Sequence, residues 1–224
     1  MRTLAALGAF VTTGGNGPPI NNLGTLAGTY KTPAIHVEVS GVFTNTTPTC
    51  PYRGAGRPEA AYIIETLVEA AAQKLSRDPA DLRRQNTIPP DAMPFKTGLV
   101  FTYDCGEFEK NLTDALDMID YGGFEGRRRD SEARGRLRGI GISNTIERAG
   151  APSMEEATVR IDKTGNVMVM VGTINQGQGH DTVYKQIVSE ALDIPVSRIR
   201  VREGDTDMQG IGGGTGGSRS ATCG

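Results

Sequence analysis

The chain runs Val167-Met168-Val169-Met170-Val171, and a little further on Asn175-Gln176-Gly177-Gln178-Gly179-His180-Asp181-Thr182. A short apolar run rich in β-branched residues, then glycines, then Val183, Ile187, Val188 and Ala191 at helical spacing predict strand, loop and helix with those four on its buried face. Glycines at 177 and 179 let the backbone take positive φ or come close to a ligand. Gln176 and Gln178 add neutral amides that can donate to oxo groups or heterocycle edges. The loop is neither the dinucleotide fingerprint GxGxxG nor a P-loop, since no Gly-Lys-Ser/Thr ends it. His180 has no carboxylate or second histidine at metal-ligand spacing, which favours a capping or packing role over that of a metal ligand.

Upstream, Thr158-Val159-Arg160-Ile161 alternates as a half-buried strand should, and Asp162-Lys163-Thr164-Gly165-Asn166 reads as the turn of a β-hairpin. Ile140 to Ile146 reads as a further strand. Downstream, Ile199-Arg200-Val201 is a short strand leading to Gly204-Asp205-Thr206-Asp207. The run from Gly210 to Gly224 has no expected element; composition makes it a linker, while Ser218, Arg219 and Ser220 put three donors directly after glycines, which suits an anion.

The first half is helical in pattern. Pro58 suits a first helical turn, and Ala61, Ile64, Val68, Ala71 and Leu75 recur at three and four, predicting a helix over 58–75 with that face buried. Asp78 before Pro79 is an N-cap for a short helix through about Arg84. Leu112, Ala115, Leu116 and Ile119 predict another helix, and Glu125 to Arg136 a charged one. The start runs into Thr12-Thr13-Gly14-Gly15-Asn16-Gly17-Pro18-Pro19 as a loop with no element before it. Two unanchored ends suggest a piece of a longer protein. The expected plan is α+β, with mixed helices and short sheets and a boundary that separates 1–138 from 139–224.

Its 24 basic and 26 acidic residues nearly cancel, which argues against a nucleic-acid partner needing a basic face. The densest basic run, Arg127-Arg128-Arg129 with Arg134, Arg136 and Arg138, is interleaved with Asp130 and Glu132 and reads as a solvated helix face. Cys50, Cys105 and Cys223 form no CxxC pair, so neither a zinc knuckle nor an iron–sulfur pattern is expected. No apolar run approaches the roughly 20 residues of a membrane span, and a reduced, cytoplasmic protein is expected.

One more loop invites a ligand. Cys50-Pro51-Tyr52-Arg53-Gly54-Ala55-Gly56-Arg57-Pro58-Glu59 places two glycines and two arginines just before a long helix, where free N–H groups and the dipole attract anions. A turn with solvent-facing arginines is the bland alternative. Three such loops favour a large phosphate-bearing ligand but name no reaction, since no Ser–His–Asp set or acid pair is recognisable.

Taken together and in order, these loops resemble the molybdopterin-binding large subunit of the xanthine dehydrogenase, aldehyde oxidase and carbon monoxide dehydrogenase family. The segment 51–59 is similar to the active-site loop of the members called form II carbon monoxide dehydrogenase-like. Segments 176–180, 204–207 and 216–220 are similar to the cofactor-cradling stretches. The resemblance implies molybdopterin cytosine dinucleotide carrying molybdenum, with 2Fe-2S clusters and FAD on separate small and medium subunits, as a dimer of heterotrimers. It implies cofactor contacts at Gln176, Gly177, Gln178, Gly179, His180, Thr182, Gly54, Gly217, Ser218 and Ser220, with Arg53 in the loop beside the metal.

Departures from the pattern narrow the expected chemistry. Gly54 falls where carbon monoxide enzymes carry a copper-binding cysteine, so no thiolate is available there. Ala55 and Asn144 match the positions of two phenylalanines that clamp purines; the missing stacking, roughly 0.5–1.5 kcal/mol per contact, disfavours xanthine. An aldehyde or N-heterocycle, oriented by Asn144, Thr145 or Glu147, is expected instead. The family's base glutamate lies in a Gly–Glu motif that these residues do not include, so a catalytically incomplete remnant or assembly module stays open beside a hydroxylase fragment, and the isolated chain is expected to be inactive.

Overall fold

The computed structural model describes residues 1–150, 154–208 and 212–223. The chain is α+β and divides into two compact units, Met1–Glu147 and Arg148–Gly224.

In the first unit, β1 (Arg2–Ala6) pairs in parallel with β2 (Glu38–Val42) across the connecting helix α1 (Gly17–Thr25). β1 lies where no element was expected, and α1 begins within the expected loop at 12–19. The strand has little pattern of its own and exists through pairing with a distant segment, extended by Leu7 N–H to the Val42 carbonyl. The helix tolerates Pro18 and Pro19 because first-turn N–H groups lack intrahelical acceptors.

α2 (Arg57–Lys74) and α3 (Pro79–Asn86) follow, then a short antiparallel pair, β3 (Phe95–Lys96) and β4 (Thr102–Tyr103). α2 buries Ala60, Glu65 and Ala72, with the expected Ala61, Ile64, Val68 and Ala71 half-buried beside them, a small rotation of the inward face, and Leu75 is 60% exposed. The rotation turns Glu65 inward, where Tyr30 Oη donates to its Oε1 and Arg83 Nε to its Oε2 at 2.8 Å. Asp78 caps α3, its Oδ1 accepting from Ala80 N at 2.7 Å and Asp81 N at 3.1 Å.

α4 (Phe108–Met118) buries Leu112 and Leu116 against Ala80, Tyr121 and Ile142, leaving Ile119 exposed. α5 (Phe124–Glu132) stops short of the expected Arg136 and is a solvated helix, with Arg128 paired to Glu125 and Glu132. No strand forms over 140–146. Side chains take the carbonyls a neighbouring strand would use: Arg83 Nη2 donates to Ile142 O, and Thr29 Oγ1 to Asn144 O.

In the second unit β5 (Ala157–Ile161) and β6 (Val167–Val171) form the expected hairpin. β6 leads through α6 (His180–Leu192) to β7 (Ile199–Glu203), which pairs with it in parallel, giving the order β5-β6-β7. Val167, Val169, Val171, Tyr184 and Ile199 form the core. The inward face of α6 is His180 and Tyr184 with Val188 partly buried; Ile187 and Ala191 are exposed because a single small sheet accepts only a narrow stripe of helix. α7 (Ser220–Cys223) is a short helix where no element was expected; Gly210 and Gly224, the limits of that expected run, lie outside the described residues. Among the described residues no helix is long and apolar enough to cross a membrane.

Candidate functional site

β6 and β7 run parallel, so both deliver their following loops to one edge of the sheet, the place where open α/β sheets bind ligands. Glu203, the last residue of β7, ties these loops together. Its Oε2 accepts from Asn175 N–H at 3.0 Å, and its Oε1 lies 2.8 Å from His180 Nδ1. Asn175 Oδ1 in turn accepts from Gly177 N at 3.0 Å and Gly179 N at 3.2 Å. Gln176 N–H donates to Gln178 Oε1, closing the loop on itself.

The loop 212–220 joins the same edge. Thr215 Oγ1 accepts from Ile174 N at 2.8 Å and donates to Ile174 O, and Tyr184 Oη donates to Ser220 O while lying 3.0 Å from Thr173 Oγ1. Gly150 N–H donates to Ser218 O. Arg219 differs from expectation: its Nε donates to Glu155 Oε1 at 2.7 Å and its Nη2 to Gly214 O at 2.7 Å. The Glu155 side chain is 1% exposed and also faces Gly213 N, so this arginine stiffens the loop from within. Nothing in the sequence around Glu155 or Glu203 marks either carboxylate; only their long-range partners do.

These residues suit a phosphate-bearing pterin. Gly177 and Gly179 hold φ of 107° and 79°, and a Cβ at either would meet nothing within 4 Å, so the backbone stands open to an approaching group. Gly179 is the N-cap of α6 and provides no capping side chain, which leaves the positive end of a full-length helix for an anion. Thr182 in the first turn and Gly217 and Ser218 in the last loop are exposed on these segments, and Ser220 is half-buried. Among the described residues no three His, Cys, Asp or Glu side chains gather as a metal site.

In the first unit, Gly54, Ala55 and Gly56 take φ of 103°, 45° and 100° in succession, folding the loop over the N-terminus of α2. A Cβ on Gly54 would stand 2.5 Å from Pro58 Cγ, so this backbone admits only glycine there without rearrangement. Arg57 Nη1 donates to Gly54 O at 3.3 Å and its Nε pairs with Glu147 Oε1 at 3.1 Å, which brings the loop and the 144–147 segment together. A cleft of about 500 Å³ is lined by Tyr52, Arg53 and Ala55 with Ala5, Ala6 and Pro18. Tyr52 and Arg53 are exposed at its mouth. Thr145 is exposed, whereas Asn144 is 3% exposed and turns its amide to the Phe108 carbonyl at 3.5 Å.

Comparison with known proteins bears on the family of the chain. Residues 1–87 and residues 114–224 each match a molybdopterin cofactor-binding domain. The chain is 39% identical over 210 residues to the carbon monoxide dehydrogenase large chain of Hydrogenophaga pseudoflava, covering 87% of this chain and 26% of that one. It is 31% identical over 209 residues to the nicotine 6-hydroxylase large subunit of Paenarthrobacter nicotinovorans, covering 88% and 25%. Quinoline 2-oxidoreductase from Pseudomonas putida 86 superposes with a TM-score of 0.88 at 31% identity, covering 98% of this chain and 30% of that structure.

A pair of molybdopterin cofactor-binding domains defines the class, that of molybdopterin-binding proteins. The chain belongs to the xanthine dehydrogenase and carbon monoxide dehydrogenase family of molybdopterin-binding subunits, of the carbon monoxide dehydrogenase-like kind. It spans about a quarter of the length of the curated relatives it matches.

Proposed function

We propose that these residues form part of the large subunit of a molybdenum hydroxylase that places water-derived oxygen on the carbon of an aldehyde or N-heterocycle. Electrons then pass to a 2Fe-2S small subunit and an FAD medium subunit, in a cytoplasmic dimer of heterotrimers. Residues 1–138 belong to a first cofactor-binding domain and 139–224 open a second. The observation that carries this is the convergence of the 174–180 and 212–220 loops at the carboxyl end of the parallel pair β6 and β7.

Molybdopterin cytosine dinucleotide, when bound, supplies the two-electron redox chemistry. Gln176, Gly177, Gln178, Gly179, His180 and Thr182 form one wall of its cradle, Gly217, Ser218 and Ser220 another, and Gly54 lets the active-site loop approach it. Arg53, exposed at the cleft, orients a substrate oxygen by a charge-assisted hydrogen bond. Ala55, Thr145 and Glu147 shape the substrate side, while Asn144 sets the path of that segment from beneath.

Relatives named for nicotine and quinoline support a heterocycle, and Ala55 leaves room where a stacking ring would stand. Gly54 excludes a thiolate for copper. The alternative is a catalytically incomplete remnant or assembly module that keeps the fold without redox activity.

The mass and molybdenum content of the native protein decide between the two. A much longer chain with stoichiometric molybdenum and flavin and iron–sulfur partners supports the hydroxylase. A free chain of 23.8 kDa without molybdenum supports the module.

A further inference from the structure

Glu203 is 15% exposed at its side chain, and both of its oxygens are engaged by the glycine-rich loop rather than by solvent. One holds the Asn175 amide, whose own side chain gathers the amides of Gly177 and Gly179. The other holds His180, which is buried and lies 5.2 Å from the ring of Tyr184. Tyr184 continues the chain of contacts to Thr173 and Ser220. One carboxylate thus fixes the start of α6 and the loop before it, and through them touches the last loop.

We infer that Glu203 is a positioning residue of the cofactor cradle, acting through His180 and Asn175 and not by touching the cofactor. The inference rests on the function proposed above, but its central contact does not. A carboxylate facing an anionic ligand would repel it; one that accepts from an imidazole N–H and a backbone amide has its charge engaged behind the loop. With Nδ1–H donating to the carboxylate, Glu203 also fixes the orientation of the imidazole ring. His180 is then the clamp's second half, and its proposed place in the cradle is one of support as much as contact.

The test uses the native full-length protein and hydrogen exchange read on peptides covering 174–180 and, as a control, β6. Glu203→Gln keeps the volume but loses one of two acceptor oxygens, so exchange of 174–180 should rise about tenfold while β6 stays protected, and molybdenum content should fall. His180→Asn keeps a donor close to the position of Nδ1 and should restore protection that His180→Ala loses; a ring needed only for packing would not be replaced this way. Arg200→Ala, exposed on the same strand, should change nothing. Unchanged exchange of 174–180 in Glu203→Gln, or His180→Asn no better than His180→Ala, would overturn the inference. Native protein without molybdenum would instead remove the cofactor function and leave the exchange result standing.

Discussion

Arg83 has a side chain only 1% exposed, yet every direction of its guanidinium is occupied: Glu65, Glu69, and the carbonyls of Pro79, Glu65 and Ile142. Burial, and then Glu65, push the Tyr30 hydroxyl well above the usual range, so it stays a donor to that carboxylate. Arg83→Met would strand the buried Glu65 and should cost about 3–5 kcal/mol in denaturant unfolding, with Glu65→Leu added to it recovering much of the loss. At Gly54 the obstacle is the backbone: Gly54→Ala must accept positive φ and displace Pro58, and should cost about 1–3 kcal/mol, seen as a lower unfolding midpoint. Neither Arg83 nor Glu65 is legible in the sequence, because apolar spacing has no way to mark a charge buried by its partner. The glycines at 54, 177 and 179 are legible, since only that residue is at ease at those φ values.

The hairpin β5–β6 was readable because its turn is local. Asp162 Oδ1 accepts from Thr164 N, Asn166 N and the Thr164 hydroxyl. These bonds, that from the Thr164 hydroxyl foremost, hold the carboxyl at about 2. A depressed carboxyl stabilises the folded turn above its unfolded value of roughly 4, and that help is lost as pH falls toward 2. Thermal melts should therefore show wild type losing an advantage over Asp162→Asn across that window; parallel curves would refute it. The Asp78 cap of α3 was readable for the same local reason. β1, α1 and the coil at 140–146 were not, because each depends on contacts with residues far away in sequence. The loop 212–220 was half legible: its glycines and serines stood out, but the inward pairing of Arg219 with Glu155 did not.

At the scale of the whole molecule, the class was legible from loops in a fixed order, each weak alone. The substrate was not: the chain spans about a quarter of the length of its relatives, and in the proposed hydroxylase the rest of the subunit would complete the pocket. For that reason residues 1–224 expressed alone should show no molybdenum-dependent hydroxylation; turnover by the isolated chain, measured with a quinoline or an aldehyde and an artificial electron acceptor, would contradict this. The clasp of Arg57 on Gly54 and Glu147 bears on how such an enzyme can change. Two stretches far apart in the chain share one guanidinium, so their substitutions cannot be independent. Descent with altered specificity should then proceed by paired exchanges, with a change at one stretch deleterious until the other follows, and libraries that diversify only one of them should be poor in working variants.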